Sequence, residues 1–235
     1  MKAVIQAGGK GTRLRPYSLV LPKPLMPVDE LPVIEILAKW LRRNGIKDVF
    51  ITTGYLGHLI RTVCGDGSQW GLKIIYSEEP EPLGTVGPLN LIRDYLDDTF
   101  LVLNGDLLTD LNLRAFTSYH HSHGGIVTVA TIKKDINIDL GVIESNNGRI
   151  EGFREKPTMQ FQVSMGVYCM EPSVVNLIPK GMPFGFDDLM FTMLDSSLPV
   201  YIYKHEGYWM DIGRPEDFRK AQKEIQFKQN SILGT

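Results

Sequence analysis

The sequence is poor in the features that would place it in several large classes of protein. It contains only two cysteines, Cys64 and Cys169, which are too few for a disulfide scaffold and lack metal-ligand spacing, so reduced, buried thiols are expected. The net charge of −2 gives no support for a nucleic-acid partner or an anionic membrane. The first apolar run stops at Gly8, too early for a signal peptide, and no run could span a bilayer. These absences favour a cytoplasmic protein.

What is present is an ordinary globular composition. The 235 residues are 43% hydrophobic and 22% charged, enough to bury a sizeable core. There is no internal repeat, long linker or low-complexity tract. We therefore expect one domain over residues 1–235.

Strand-like and helix-like segments alternate in the first half of the chain. Apolar runs predict strands before Gly8 and at residues 48–52, 72–76 and 99–103, and a continuous run of this kind is typical of a strand buried on both faces. Helices are predicted from Leu31-Pro32, ending at Gly45, and from about Pro88 to Leu96. The alternation predicts a doubly wound, mostly parallel, Rossmann-like α/β sheet flanked by helices.

The pattern changes after residue 110. Short strands are predicted at 126–132, 141–144 and 149–153, with Asn146-Asn147-Gly148 as a hairpin turn, and they suggest a small antiparallel insertion. Strands at 163–170 and 200–203 return to the sheet, and a helix opened by Pro215 ends the chain.

The first predicted strand ends in a glycine-rich turn beside a basic cluster. Glycines let a backbone approach a ligand closely, so this turn can form a cradle for a polyphosphate. The spacing matches neither the P-loop nor the G-x-G-x-x-G dinucleotide motif. A purely structural strand-end turn is the alternative. The glycines are Gly8, Gly9 and Gly11, and the basic residues are Lys10, Arg13, Arg15 and Lys23.

Lys23 lies about ten residues after the glycines. Pro22 and Pro24 flank it and disfavour helix, so we expect a stiff extended segment that brings the lysine to the same phosphates. A proline-rich surface turn is the alternative.

Together, G-G-x-G-T-R-L-x-P at 8–16 and P-K-P-L at 22–25 resemble the signature of the sugar-nucleotide pyrophosphorylases, the nucleotidyltransferases that act on sugar 1-phosphates. The resemblance covers essentially the whole chain, and its motif residues are most similar to those of mannose-1-phosphate guanylyltransferase-like members. It implies a nucleotide-binding half at 1–110 and a sugar-phosphate-binding half at 111–235, with the insertion facing the sugar. Many relatives carry a C-terminal β-helix read from hexapeptide repeats, which are not found here, so no β-helix domain is expected.

The resemblance implies Mg²⁺ as cofactor and Arg13, Lys23 and Lys156 as catalytic residues. Arg13 would stabilise charge on the α-phosphate and the departing pyrophosphate. Asp106 and Asp211 match the family's metal ligands, although an aspartate after a strand can also simply cap a loop. The residues assigned to the nucleotide are Gln6, Ala7, Gly8, Gly9, Gly11, Thr12, Arg13, Lys23, Glu79, Gly84, Thr85, Asn104 and Asp106.

A second set is assigned to the sugar phosphate. In the family, E-K-P places the carboxylate on a sugar hydroxyl and the lysine on the phosphate, whereas a surface hairpin end is the alternative. Ser164 stands where the family usually has Asn, so the sugar contact is altered and ordinary glucose specificity is in doubt. The set is Gly105, Gly141, Glu155, Lys156, Ser164 and Gly166.

Glu79 bears on the choice of base. Members that use dTTP or UTP have Gln there, while a carboxylate is an acceptor only and suits the adjacent N1–H and N2–H₂ donors of guanine. We therefore expect GTP, with Glu79 or Glu81 on the base edge, and a mannose-type or heptose 1-phosphate. A solvated acidic loop is the alternative.

Other readings stay open at this stage. The first is the same reaction with UTP, dTTP or CTP and a glucose-type phosphate, and the second is a non-catalytic nucleotide-sugar-binding regulatory subunit. A homodimer is compatible with the sequence, but the oligomeric state is open. His120, His121 and His123 cluster at the end of a predicted helix, where a metal site would need further ligands.

Overall fold

The computed structural model describes residues 1–233, without the side chains of 226, 227, 229–231 and 233. The strands are β1 Lys2–Ala7, β2 Pro27–Val28, β3 Leu31–Pro32, β4 Asp48–Thr53, β5 Lys73–Glu78, β6 Phe100–Asn104, β7 Leu107–Thr109, β8 Val127–Asn137, β9 Val142–Asn146, β10 Arg149–Arg154, β11 Thr158–Met170, β12 Val200–His205 and β13 Trp209–Asp211. The α-helices are α1 Val33–Arg43, α2 Gly57–Cys64, α3 Leu113–His123, α4 Phe186–Asp195 and α5 Pro215–Leu233. Short 3₁₀ helices cover Thr12–Leu14, Tyr17–Leu19, Lys23–Leu25, Ser68–Trp70, Gly87–Tyr95 and Pro172–Leu177.

Seven strands form the central sheet in the order β12-β8-β11-β6-β1-β4-β5. β1 pairs in parallel with both β4 and β6, β4 pairs in parallel with β5, and β8 with β12. Only β11 runs antiparallel to its two neighbours, β6 and β8. The predicted doubly wound, mostly parallel sheet is confirmed.

Alternate residues of the central strands enter two separate apolar clusters. Ala3 and Ile5 of β1 pack into the cluster that contains α1, whereas Val4 between them packs with Phe50 and Val102 in the other. Both faces of the sheet are therefore covered, which explains why these strands read as continuous apolar runs.

Helix α1 buries the predicted apolar stripe. Its buried residues include Val33, Ile36, Leu37, Trp40 and Leu41. Pro32 comes just before the helix rather than in its first turn, because it already pairs with Pro27 in a two-residue strand. The predicted helix near Pro88 is the 3₁₀ segment Gly87–Tyr95, which is interrupted at Ile92 by a non-helical φ of −119°.

The second half of the sheet differs from the prediction in one respect. The strand predicted at 126–132 is not part of the insertion, since it forms the start of β8 and pairs with β11 and β12 in the central sheet. The antiparallel insertion is the hairpin of β9 and β10, with its turn at Asn147-Gly148 as predicted. In the part of the chain described, no helix is both long and apolar enough to cross a membrane.

Candidate active site

A cavity of about 820 Å³ opens at the carboxyl edge of β1, β4 and β6. All residues that the resemblance assigns to the nucleotide line it, except Thr12. Gly105 of the sugar-phosphate set also lines it, as do Thr52, Gly54 and Tyr55, which the sequence argument did not include. Ligands of open α/β sheets bind at this edge.

The glycine turn is packed against two of the other predicted residues. A side chain at Gly8 would collide with the carboxylate of Glu79, and one at Gly11 would lie 2.9 Å from Lys23 Cγ. Lys23 opens a short 3₁₀ helix, Lys23–Leu25, so the predicted extended segment is wrong at this residue. Only Pro22 is extended there, because Pro24 falls in the first turn, where a missing N–H costs nothing.

Asp106 and Asp211 lie side by side at the end of the small β7–β13 sheet. Asp211 is opposite Leu107 in this sheet, and the Ile212 amide donates to the Asp106 carbonyl at 2.8 Å. Lys23 Nζ is 2.8 Å from Asp106 Oδ2, with both side chains largely buried. Backbone hydrogen bonds thus fix the two carboxylates, although Asp211 itself does not line the cavity.

Asp211 Oδ1 is buried and has no hydrogen-bond partner among the described residues. Burial, and then the negative charge of Asp106, raise the pKa of Asp211 to about 6, against the opposing effect of Lys23 and Arg13. Such an atom is costly to bury unless a cation or a donor meets it. The described residues contain no group of three or more His, Cys, Asp or Glu side chains that could hold a metal. A carboxylate pair nevertheless suits Mg²⁺, which takes one or two carboxylates together with phosphate oxygens.

The loop at 79–85 forms one wall of the cavity. Glu79 is the first residue of this loop. Its backbone amide donates to the Thr53 carbonyl at 2.8 Å, and its Oε2 accepts from the Leu83 amide at 3.0 Å. Burial raises the pKa of Glu79, while the Leu83 hydrogen bond opposes this. Gly84 lies against Phe184, and Thr85 Oγ1 accepts from the Phe186 amide. Glu79 therefore holds its own loop as well as lining the cavity.

The sugar-phosphate set is less closely assembled. Gly166, with a φ of 69°, interrupts the β8–β11 pairing and lies against the amide of Asn104, where a side chain would have no room. The Gly166 amide donates to Ser164 Oγ at 3.2 Å, and that hydroxyl donates to Tyr168 Oη at 3.3 Å. Ser164 is thus engaged with its own strand.

Glu155 and Lys156 lie further out, at the end of the hairpin. Gly141 packs under the Phe153 ring and close to Glu155 Oε2. Lys156 is 60% exposed and lies 3.3 Å from Asp139. Of the sugar-phosphate set only Gly105 lines the cavity, so the structure brings the nucleotide set together and leaves Glu155 and Lys156 on the surface.

Two polar groups outside the predicted set hold the segment that precedes Asp211. Asp110 Oδ1 accepts from the Tyr208 amide at 2.7 Å and lies 2.9 Å from His205 Nε2. Their separation in sequence leaves no local signal that could have found them.

The histidine cluster lies at the end of α3, as predicted. His120 is buried, with Nδ1 2.7 Å from Thr128 Oγ1 and Nε2 3.0 Å from Glu171 Oε1. The Thr128 contact joins α3 to β8 of the central sheet, and the Glu171 contact joins α3 to the residue that follows β11. The two cysteines are free and buried, and burial raises the pKa of each thiol to about 12.

Fold and cavity together define an α/β protein with a glycine-rich cavity at the carboxyl edge of a parallel sheet, lined by basic and acidic side chains alike. The family model described as nucleotidyl transferase matches residues 2–228. The chain belongs to this family.

Similar proteins agree with this assignment. The UTP–glucose-1-phosphate uridylyltransferase of Synechocystis sp. is 35% identical over 94% of this chain, and the mannose-1-phosphate guanyltransferase of Candida albicans is 36% identical over 93%. The chain spans 62% of the length of each. The structure of HddC from Yersinia pseudotuberculosis has a TM-score of 0.76 and 24% identity, covering 95% of this chain and 99% of that one, which shows a common fold.

Proposed function

We propose that this chain transfers a nucleoside monophosphate from an NTP to a sugar 1-phosphate, giving a nucleotide sugar and pyrophosphate. Residues 1–110 would bind the NTP and residues 111–235 the sugar phosphate, within one domain. We take the protein to act in the cytoplasm, where its two free thiols would stay reduced.

One observation carries the proposal. The glycine turn, Arg13 and Lys23 meet the Asp106–Asp211 pair at one sheet edge, and one buried oxygen of that pair has no hydrogen-bond partner among the described residues. Cationic side chains and bare amides suit a polyphosphate, and an unsatisfied buried carboxylate oxygen calls for a cation. A structural turn alone would need neither group.

The chemistry requires positioning rather than a covalent intermediate. An anionic oxygen of the sugar 1-phosphate would form a bond to the α-phosphorus while the bond to the pyrophosphate oxygen breaks, so no general base is needed. Arg13 and Lys23 would stabilise the leaving pyrophosphate, and Lys156 would hold the attacking phosphate. Asp106 and Asp211 would hold Mg²⁺, which when bound neutralises charge on the transferred group.

A pyrophosphate-release assay tests the reaction class. GTP, UTP, dTTP and CTP are each combined with mannose, glucose, glucosamine and heptose 1-phosphates, with Mg²⁺ or with excess EDTA. We expect release that needs both substrates and Mg²⁺. If no combination releases pyrophosphate, the proposal is wrong and a binding protein on the same fold is favoured. Arg13, Asp106, Lys156 and Asp211 are all present, which argues against that rival.

We further propose GTP and a mannose-type 1-phosphate as substrates. Glu79 lines the cavity as an acceptor-only group, and relatives named as mannose-1-phosphate guanyltransferases match most of the chain. UTP or dTTP with a glucose-type phosphate is the second candidate, because the uridylyltransferase of Synechocystis is about as similar.

Replacing Glu79 with Gln tests the base argument. We expect kcat/KM for GTP to fall and that for UTP to rise, a change in preference of roughly tenfold, since Gln presents a donor as well as an acceptor. Glu78→Gln, on the neighbouring exposed residue, is the matched control. An unchanged ratio in Glu79→Gln would show that Glu79 only holds its loop through Leu83.

A further inference from the structure

Three neighbouring strands carry polar residues in one row across the floor of the cavity. Gln6 of β1 is in register with Thr52 of β4 on one side and with Asn104 of β6 on the other. All three line the cavity. Two residues earlier in each strand, on the same face of the sheet, the corresponding residues are Phe50, Val4 and Val102, which are apolar and buried. The sheet face therefore changes from core to polar floor at Gln6.

Gln6 is placed between two walls of the cavity. Its side-chain amide Nε2 donates to the carbonyl of Thr85 in the 79–85 loop. Its backbone carbonyl accepts from the Gly105 amide at 2.9 Å, next to Asp106. Gln6 thus contacts both the 79–85 loop, which forms one wall of the cavity, and the turn that carries Asp106.

The row is not satisfied by the protein itself. Gln6 Oε1 and Thr52 Oγ1 are both buried and have no hydrogen-bond partner among the described residues. Leaving an acceptor unpaired at a buried position is unfavourable, because the acceptor loses its hydrogen bonds to water and gains none in return. An apolar side chain at position 6 would avoid that cost, as Val4 does two residues earlier. The amide is therefore best explained by a partner that enters the cavity.

We propose that Gln6 is a specificity-determining residue for the nucleoside. Its Nε2 donates to the Thr85 carbonyl, which orients the side chain so that Oε1 accepts a hydrogen bond either from the base (the 2-amino group of guanine, or N3–H of uracil) or from the ribose 2′-hydroxyl. The inference rests on the proposed function only in requiring that a nucleoside triphosphate occupies the cavity.

The test measures coupling between Gln6 and single donors on the ligand. Dissociation constants are measured by calorimetry, with Mg²⁺, for GTP, for inosine triphosphate, which lacks the 2-amino group, and for 2′-deoxy-GTP. If UTP binds instead, the set is UTP, N3-methyl-UTP and 2′-deoxy-UTP. The proteins are wild type, Gln6→Leu and Gln6→Glu. Gln69→Leu is the matched control, since Gln69 also donates to backbone carbonyls but does not line the cavity.

We expect wild type and Gln69→Leu to bind one of the two analogues roughly five- to tenfold more weakly than the parent NTP. In Gln6→Leu that difference disappears. In Gln6→Glu, which keeps an acceptor oxygen but loses the donor to Thr85, the difference persists at lower overall affinity. A loss that is equal for all three ligands in both Gln6 variants would overturn the proposal, because it would mean that Gln6 only supports the loop.

The two proposals fail in different ways. Wild-type protein that binds an NTP but releases no pyrophosphate with any sugar phosphate contradicts the proposed reaction and leaves the Gln6 coupling readable. Normal turnover with no analogue difference that depends on Gln6 contradicts only the proposed role of Gln6. Wild-type protein that binds no NTP contradicts both.

Discussion

In the first half of the chain, the side chains assigned to the nucleotide lie on backbone that is already fixed, whereas the assigned sugar-phosphate groups Glu155 and Lys156 lie on an exposed hairpin end. Lys23 and Asp106 form an ion pair with both side chains under 20% exposed. Lys156 and Asp139 form one with side chains 60% and 92% exposed. The first pair keeps its geometry without a ligand, while the second gains little from pairing in water.

On the proposed function, this difference means that the two substrates would meet different degrees of preorganisation. A rigid cavity can align the α-phosphate before the second substrate arrives. An exposed lysine with a weakly held partner is free to turn toward an incoming phosphate. Variants in the two regions should therefore affect different kinetic constants.

The largest effect is expected at the rigid end. Asp106→Asn keeps the size of the side chain but removes the charge that faces Lys23, so kcat should fall roughly 10²- to 10³-fold. Pyrophosphate release at saturating substrates measures it. Asp195→Asn, at the exposed end of α4, should leave the rate unchanged. If Asp106→Asn retained most of its activity, the preorganised carboxylate would have no part in the reaction.

An intermediate effect is expected at the exposed end. Lys156→Met should raise the KM for the sugar 1-phosphate roughly 10- to 100-fold, the value of a hydrogen bond to a charged group, with the KM for the NTP within about twofold. Lys133→Met, another exposed lysine on β8, is the matched control. A rise in the KM for the NTP instead would mean that Lys156 acts with the nucleotide-binding residues, and the two regions would then not differ in the substrate that they serve.

The smallest effect concerns stability, at the contact between α3 and the central sheet. His120→Gln removes the paired contacts to Thr128 and Glu171 and should lower the free energy of unfolding by about 1–3 kcal/mol at pH 7.5. His58→Gln, on an exposed histidine of α2, is the control. Urea denaturation measures both.

The same residue predicts a pH dependence. Burial, chiefly, lowers the pKa of His120 below its usual value of 6.5, with a contribution from His121 and His123 and against the effect of Glu171. Below pH 6.5 the unfolded chain binds the proton more readily than the folded one, so this contribution is complete above that pH and is lost as the pH falls. The difference between wild type and His120→Gln should therefore shrink at pH 5.5. A constant difference would show that His120 acts through packing alone.

Sequence patterns could predict those parts of the fold that depend on local order. The strand-end positions of Gly8 and Asp106 follow from apolar runs, and parallel strands bring such ends to one edge regardless of the loops between them. The central-sheet position of β8 could not be predicted in this way, because its paired residues in β11 and β12 lie 21 to 73 positions away and its own pattern is that of any short strand. The 3₁₀ geometry at Lys23 depends on Pro24 occupying a first turn, which flanking prolines alone do not reveal.

The site shows the same limit. The family resemblance implies roles for Lys23, Glu79, Asp106 and Asp211, but it does not reveal which of their atoms lack partners. Glu79 Oε2 accepts a hydrogen bond from the Leu83 amide, whereas Gln6 Oε1 and Asp211 Oδ1 have no partner among the residues described, and this difference depends on tertiary packing. Asp110 and His205 meet across nearly a hundred residues, beyond any local pattern.

The peptide groups of Gly105 and Ile212 bond to the carbonyls of Gln6 and Asp106, which ties three chain segments together at the base of the cavity. These links involve no side-chain atoms. The spacing between the segments therefore does not depend on which side chains occupy positions 6, 106 and 211. On the proposed function, a frame of this kind would let substrate preference change through side-chain substitutions while the distances that the reaction needs stay the same.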